Sequence, residues 1–287
     1  MSGIKRVIVT GGSGRLGRFV VADLLDSGYE VRNIDVVTSD ATEYLDIDIL
    51  DYEAVFAAFD GYDAVVHLAA NPEPDFDHVT GAARFEHNMV STFNVFQAAV
   101  ASGMQRVVWA SSETVYGFPF ESNAPEALPI VEGSRLQPQN AYALAKAACE
   151  EVADYLSETS GIPFIGLRFS NVHVEEPGTN ASYELIPEYQ GDPRSRYFNL
   201  WGYIDARDGA SACRRALEAD VEGAHALPVF AADTIMDLPN DELVAAVFPG
   251  TPLAADTPPH ATLVSIAHTN AVLGWEPIYS WRTVAGG

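Results

Sequence analysis

Short apolar runs rich in Val, Ile and Ala alternate along the chain with longer segments whose apolar residues return every three or four positions. The short runs cover Arg6 to Thr10, Glu30 to Val36, Ala64 to Leu68, Arg106 to Ser111 and Pro163 to Phe169, and they predict strands. The longer segments predict helices from about Arg15, over Tyr52 to Phe59, near Phe85 to Ser102 and over Ala141 to Ser160. This βαβ rhythm implies an α/β fold with a doubly wound parallel sheet. The texture then changes. Glu175 to Arg196 is rich in Pro, Gly, Asn and Asp, and a helix around Asp208 to Ala219, a strand near His225 to Ala231 and short amphipathic pieces follow. The expected organisation is a main unit over residues 1–172 and a small C-terminal lobe over 173–287, interleaved with the last core elements.

Composition narrows the picture. Over 287 residues, 48% hydrophobic against 20% charged is a globular balance. No apolar run approaches the roughly 20 residues that cross a bilayer. The N-terminus enters a strand at once, so a cytoplasmic location is expected. With 16 basic and 40 acidic residues the net charge is -24, which disfavours nucleic acid and membrane surfaces as partners. Lys5 and Lys146 are the two lysines. Adaptation to high salt and a GC-rich genome account equally for that bias. Cys149 and Cys213 are far apart, and the histidines, among them His67, His78, His87 and His173, lack ligand spacing, so neither a disulfide framework nor a metal is expected.

The chemistry begins at Thr10-Gly11-Gly12-Ser13-Gly14-Arg15-Leu16-Gly17, between the first strand and the first helix. Gly11, Gly14 and Gly17 permit a tight turn, close approach of backbone to a pyrophosphate and close helix packing, while the helix start supplies N–H donors. Asp35, at the end of the second strand, can accept from both adenosine-ribose hydroxyls and repel a 2'-phosphate. The expectation is a Rossmann-type fold that binds NAD in preference to NADP, with Arg15 and Arg32 the residues able to soften the preference.

A second constellation is Tyr142-Ala143-Leu144-Ala145-Lys146 opening a helix, with Ser111-Ser112 ending the preceding strand. The i,i+4 spacing puts phenol and ammonium on one helical face. Lys146 is expected to lower the Tyr142 pKa and to hold the nicotinamide ribose, with Ser112 positioning the reacting oxygen. A compact ammonium at 146, in a chain that otherwise uses Arg, fits that task.

These residues resemble the extended short-chain dehydrogenase/reductases, often labelled NAD-dependent epimerase/dehydratase. TGGSGRLG is similar to the family's TGxxGxxG, Asp48-Ile49 to its adenine-contacting pair, and His67-Leu68-Ala69-Ala70 to the segment ending the fourth strand beside the cofactor. Asn88 matches the family's helix Asn. Ser111-Ser112-Glu113-Thr114-Val115-Tyr116-Gly117 resembles its SSxxVYG, Leu167-Arg168-Phe169-Ser170-Asn171-Val172 the strand passing the nicotinamide, and Leu273-Gly274-Trp275-Glu276-Pro277 its closing LGWxP. The resemblance implies Ser112, Tyr142, Lys146 and Asn88 as catalytic residues. It implies cofactor contacts from Gly11, Gly14, Arg15, Leu16, Gly17, Asp35, Asp48, Ile49, Leu68, Ala69, Ala70, Tyr142, Lys146 and Phe169. It also implies a homodimer.

Departures from the family pattern bear on the reaction. Ser112-Glu113-Thr114 stands where dehydratases carry Thr-Asp-Glu, which argues against dehydration. Arg196 lies five residues before Trp201, a spacing similar to that of the shorter sugar and uronate dehydrogenases, whose Arg faces the sugar. Ser112, Glu113, Asn171 and Arg196 are therefore the expected substrate contacts, in a small substrate lobe. Glu113 is expected to repel a carboxylated sugar. The implied activity is NAD-dependent oxidation of a hydroxyl carbon of a small sugar, uronate or similar polyol. The alternative is a nucleotide-sugar epimerase that transfers the hydride transiently.

Overall fold

The computed structural model describes residues 3–38, 42–72, 78–121, 123–176 and 182–284. The first half alternates as the apolar pattern requires: β1 (Arg6–Thr10), α1 (Gly17–Asp26), β2 (Glu30–Asp35), β3 (Glu43–Asp46), α2 (Tyr52–Ala58), β4 (Ala64–His67), α3 (His78–Ala101), β5 (Arg106–Ser112), α4 (Ala141–Ser160) and β6 (Phe164–Phe169). Beyond it come β7 (Val172–His173), α5 (Ile186–Tyr189), β8 (Ile204–Asp205), α6 (Ala206–Glu218), β9 (Ala224–Val229), α7 (Asn240–Val247), α8 (Ala267–Leu273) and α9 (Trp281–Val284). The main sheet of the described residues has seven parallel strands in the order β3-β2-β1-β4-β5-β6-β9. β7 and β8 pair separately.

Both faces of this sheet are covered, which is why its strands read as continuous apolar runs. Val7 and Val9 of β1 pack with Val20, Val21 and Leu24 of α1 and with Ala212, Cys213 and Ala216 of α6. Ile8, between them, points the other way, into a core with Val55 and Phe59 and with Val95, Phe96, Cys149 and Ala153 of α3 and α4. A third cluster joins Val115, Phe118 and Phe120 to Leu200, Trp201, Tyr203, Phe230 and Leu243. Among the described residues no helix is long and apolar enough to cross a membrane.

Several boundaries differ from expectation. α1 starts at Gly17 rather than near Arg15, because residues 11–16 form the loop that closes on itself through Gly14 N donating to Gly11 O at 3.1 Å. α3 begins at His78 rather than Phe85. β3 was not anticipated, since this short edge strand is half exposed and carries no apolar run. The acidic stretch Glu73 to Asp77 lies outside the described residues.

Candidate active site

The strand order reverses between β1 and β4, and in open parallel sheets that switch point opens a crevice at the carboxyl ends of the strands. The glycine loop lies there. Gly11 adopts φ +73°, and a Cβ on it would sit 2.7 Å from Ala69 N. A Cβ on Gly17 would fall 2.0 Å from Gly11 O, so helix and loop meet at a separation no side chain tolerates. Among the described residues the Leu16 and Gly17 N–H groups find no acceptor, leaving donors at the start of α1 as an anion requires. Gly14 is exposed.

Asn33 and Asp35 hold the loop from below. Asn33 Oδ1 accepts from Gly12 N at 3.0 Å, and its Nδ2 donates to Ser13 Oγ at 3.0 Å. Asp35 Oδ2 accepts from Ser13 N at 2.9 Å, and Oδ1 accepts from Val36 N and Val37 N at 2.8 and 3.1 Å. Its carboxylate is thus oriented at the end of β2. Leu68, Ala69 and Ala70 run half-buried from the end of β4. Ile49 is buried and Asp48 exposed, with Asp48 Oδ1 accepting from Leu50 N at 2.9 Å. Phe169 and Leu16 both pack where Gly209 of α6 leaves room, at 3.5 and 3.0 Å from its missing Cβ. A glycine cradle with free N–H donors and a fixed carboxylate beside it fits a dinucleotide.

Ser112 closes β5 and caps the turn that follows, accepting from Thr114 N at 3.2 Å and from Thr114 Oγ1 at 2.9 Å. Asn140 caps α4 by accepting from Ala143 N at 2.8 Å, which fixes Tyr142 in the first turn and Lys146 one turn later. The Ser112 side chain lies near enough to the Tyr142 hydroxyl to favour its ionised form. Their expected electrostatics need correction. Lys146 Nζ lies 5.7 Å from the Tyr142 ring centroid and donates to Ala110 O at 2.6 Å. Burial pushes Tyr142 up to about 12, with Glu113 adding to the rise and Ser112 opposing it. Burial also lowers the Lys146 pKa.

Asn88, expected to be catalytic, spends its amide on a loop: Oδ1 accepts from Asn71 N at 2.9 Å and Nδ2 donates to Asn71 O at 3.1 Å. It pins the chain just past Ala70. His67 is buried between Thr10 Oγ1 at 2.7 Å and Thr92 Oγ1 at 3.2 Å, and burial lowers its pKa to about 3.

Glu113 and Arg196 are both buried, at 8% and 6% exposure. Ser170 Oγ donates to Glu113 Oε2 at 2.6 Å, and the Asn199 amide lies beside the carboxyl, its Nδ2 donating to Gly202 O at 2.8 Å. Burial nonetheless raises the carboxyl to about 8, against the lowering influence of Ser170, Arg196 and Asn199. With that pKa the carboxyl is mainly protonated near neutrality, so it lacks there the full charge on which the expected repulsion of a carboxylated sugar depends. A carboxyl with a raised folded-state pKa stabilises the fold while protonated, and that contribution is lost as pH rises from the usual carboxylate range through about 8.

Arg196 is gripped by its own turn. Its carbonyl accepts from Trp201 N at 3.1 Å, and Leu200 and Trp201 take φ +52° and +55°. Such left-handed residues cost about 1–2 kcal/mol each, which full burial of both side chains offsets. The guanidinium lies 5.2 Å from the Tyr189 ring and 4.9 Å from the Phe198 ring, and its Nε and Nη2 are buried without a partner. Asn171 is half-buried, its carbonyl accepting from Ile204 N at 3.0 Å and His173 Nδ1 at 3.2 Å. Ser170, Asn199, Tyr189 and Phe198 were not singled out from the sequence. Ser170 stood within the quoted LRFSNV run, but nothing in the sequence paired it with Glu113.

Residues 7–229 match the NAD dependent epimerase/dehydratase family. The chain is 32% identical over 229 residues to an L-arabinose 1-dehydrogenase (NAD(P)(+)) of Haloferax volcanii, covering 75% of this chain and 84% of that enzyme. It is 29% identical over 222 residues to a bifunctional UDP-glucose 4-epimerase and UDP-xylose 4-epimerase of Pisum sativum, covering 70% of this chain and 59% of that one. The solved UDP-glucose 4-epimerase of Brucella ovis in complex with NAD superposes with a TM-score of 0.73 at 23% identity, over 96% of this chain and 94% of that one.

Proposed function

Because the chain belongs to the NAD dependent epimerase/dehydratase family and is an NAD-dependent enzyme, we propose that it oxidises a hydroxyl carbon of a small sugar, uronate or similar polyol and releases NADH. The observation that carries this reading is the Ser112–Tyr142 pair, with a buried Arg196 beside the same cluster whose Nε and Nη2 lack partners. Unpaired buried donors are costly, and a sugar's hydroxyl or acidic group would satisfy them.

In this reading Tyr142 takes the hydroxyl proton while Ser112 holds the reacting oxygen. When bound, NAD would supply the hydride acceptor and, in its oxidised form, a positive charge. Such a charge would favour the phenolate, which burial opposes in the protein alone. Leu16 and Gly17 N–H groups would receive the pyrophosphate, Asp35 the adenosine ribose, and Lys146 the other ribose. Residues after β6, outside the last sheet strand and α6, would form the substrate lobe.

The test is a screen of free aldoses, uronates and nucleotide-sugars that follows NADH release and epimer formation together. Net NADH from a free sugar is expected. Epimer formation from a nucleotide-sugar without net NADH would overturn the proposal in favour of the epimerase reading, which the Pisum match supports.

Asp35 should make NAD the better ligand, since a 2'-phosphate would meet its carboxylate. Titration of both cofactors is expected to favour NAD, and Asp35→Asn to weaken NAD by tenfold or more, the equivalent of about 1.5–3 kcal/mol for a charged hydrogen bond. Equal affinity of the wild type for both cofactors would remove the ribose assignment. We also propose a homodimer through α3 and α4, which pack on each other and expose Val90, Phe93 and Leu144. Light scattering that returns the mass of one chain would exclude it.

A further inference from the structure

Glu113 and Arg196 are an unusual pair: a buried carboxyl and a buried guanidinium that influence each other electrostatically yet form no ion pair. Ser170, just past β6, donates to Glu113. Asn199 lies beside it from the turn after Arg196, and its own Oδ1 is buried without a donor. Tyr142 faces Glu113 from α4 and is protonated at ordinary pH. Around Arg196 stand Tyr189, Phe198 and His173, and burial lowers His173 to about 4, so it is neutral. Arg196 is the fixed charge that acts on Glu113, while Arg15 and Asp205 act on His173 at the edge of the cluster, and Glu113 is the group whose charge can change near neutral pH.

We propose that Glu113 and Arg196 form a proton-linked subsite for the anionic group, carboxylate or phosphate, of a sugar. Arg196 receives the anion through Nε and Nη2 while Glu113 is protonated, and ionisation of Glu113 expels it. The reason is charge balance. A buried guanidinium without a counterion favours an anion, and two anions cannot share one cation in a desolvated site without repelling each other. With Glu113 ionised, Arg196 is compensated internally and an uncharged sugar is the better occupant. The raised Glu113 pKa puts the changeover near pH 8. Anion binding above that pH must draw a proton onto Glu113, so affinity and proton uptake are linked. Glu113 is in this account a specificity-determining residue, and the account rests on the reading that Arg196 faces the substrate.

The test compares kcat/KM for anionic sugars (D-glucuronate and D-galacturonate in one arm, D-glucose 6-phosphate in the other) with that for neutral D-galactose and L-arabinose between pH 7 and 9.5. The uronate charge is constant over this range and the phosphate charge changes by only about a tenth of a unit, and Tyr142 ionisation enters both classes alike, so the ratio isolates Glu113. The wild-type ratio is expected to fall about tenfold across the range, as one pKa unit of coupling gives. In Glu113→Gln, fixed neutral, the ratio should be flat. The arm in which the fall occurs identifies carboxylate or phosphate as the group received.

A flat wild-type ratio overturns the proposal, as does failure of every anionic sugar to bind at pH 7. Arg196→Ala separates this failure from that of the underlying reading. If it raises KM for sugars while the wild-type ratio is flat, Arg196 faces substrate and the proton link is wrong. If it leaves every KM unchanged, Arg196 is outside the site and both fall. Should Glu113→Gln not fold, calorimetry of D-glucuronate binding to the wild-type NADH complex at pH 8.5, in two buffers of different ionisation enthalpy, reads proton uptake directly. Uptake of a fraction of a proton is expected, and none refutes the link.

Discussion

Tyr142→Phe is expected to lower turnover by about 10²–10⁴-fold while leaving NAD affinity almost unchanged. The ring and its packing remain, and what goes is the hydroxyl beside Ser112. The size of the loss follows from the work the hydroxyl must do: its free-state pKa near 12 leaves almost no phenolate at neutral pH, so the base exists only when the filled site favours it. Steady-state kinetics and cofactor titration by fluorescence measure the two quantities. Turnover within tenfold of wild type would remove Tyr142 as general base, and a parallel loss of NAD affinity would assign it to cofactor binding instead.

The largest effect on stability is expected one turn beyond Lys146. Glu150 Oε1 accepts from Ser111 Oγ at 2.6 Å and Arg168 Nε at 2.9 Å, and Oε2 accepts from Arg168 Nη2 at 2.7 Å. Arg168 Nη1 also donates to Tyr116 OH at 2.8 Å, and both charged groups are buried. Breaking such a pair leaves an uncompensated buried cation, so Glu150→Leu should cost about 3–5 kcal/mol, while the double variant Glu150→Leu with Arg168→Met should recover much of it. The expected fall in Tm for the single change is roughly 10 °C. Denaturant unfolding that shows a loss below about 1 kcal/mol would mean that water reaches Arg168 and screens it.

What could be read from the sequence were features carried by local rules. Asn140 as a cap and Gly161 at φ +75° mark both ends of α4, and the expected span Ala141 to Ser160 coincides with it. β2, by contrast, ends at Asp35, one residue short of the expected Val36, because Asp35 Oδ1 takes the Val36 and Val37 N–H groups that a longer strand would need. β3 escaped because pairing at a half-exposed edge, rather than an apolar face, makes it a strand. The site's charges were the least legible part. Spacing puts Lys146 on the same helical face as Tyr142, yet where Nζ settles depends on Ala110 O, a carbonyl on another element. The protonation of Glu113 depends on burial beneath Ser170, Asn199 and Arg196, which reach it from after β6 and from the turn before β8. No window of sequence contains all of these residues.

The position of β9 bears on how this protein is made. β6 is buried along its whole length, with β5 on one side and β9 on the other, and β9 emerges only after residues 170–223 have been synthesised. During translation the nascent sheet therefore carries a bare, apolar edge of unpaired N–H and C=O groups, the kind that recruits strands from other chains. A gene truncated after residue 172 would encode that edge permanently. The segment holding Arg196 is threaded between two neighbouring strands of one sheet, so it cannot be deleted or exchanged as a cassette without also deciding whether the nucleotide-binding half closes.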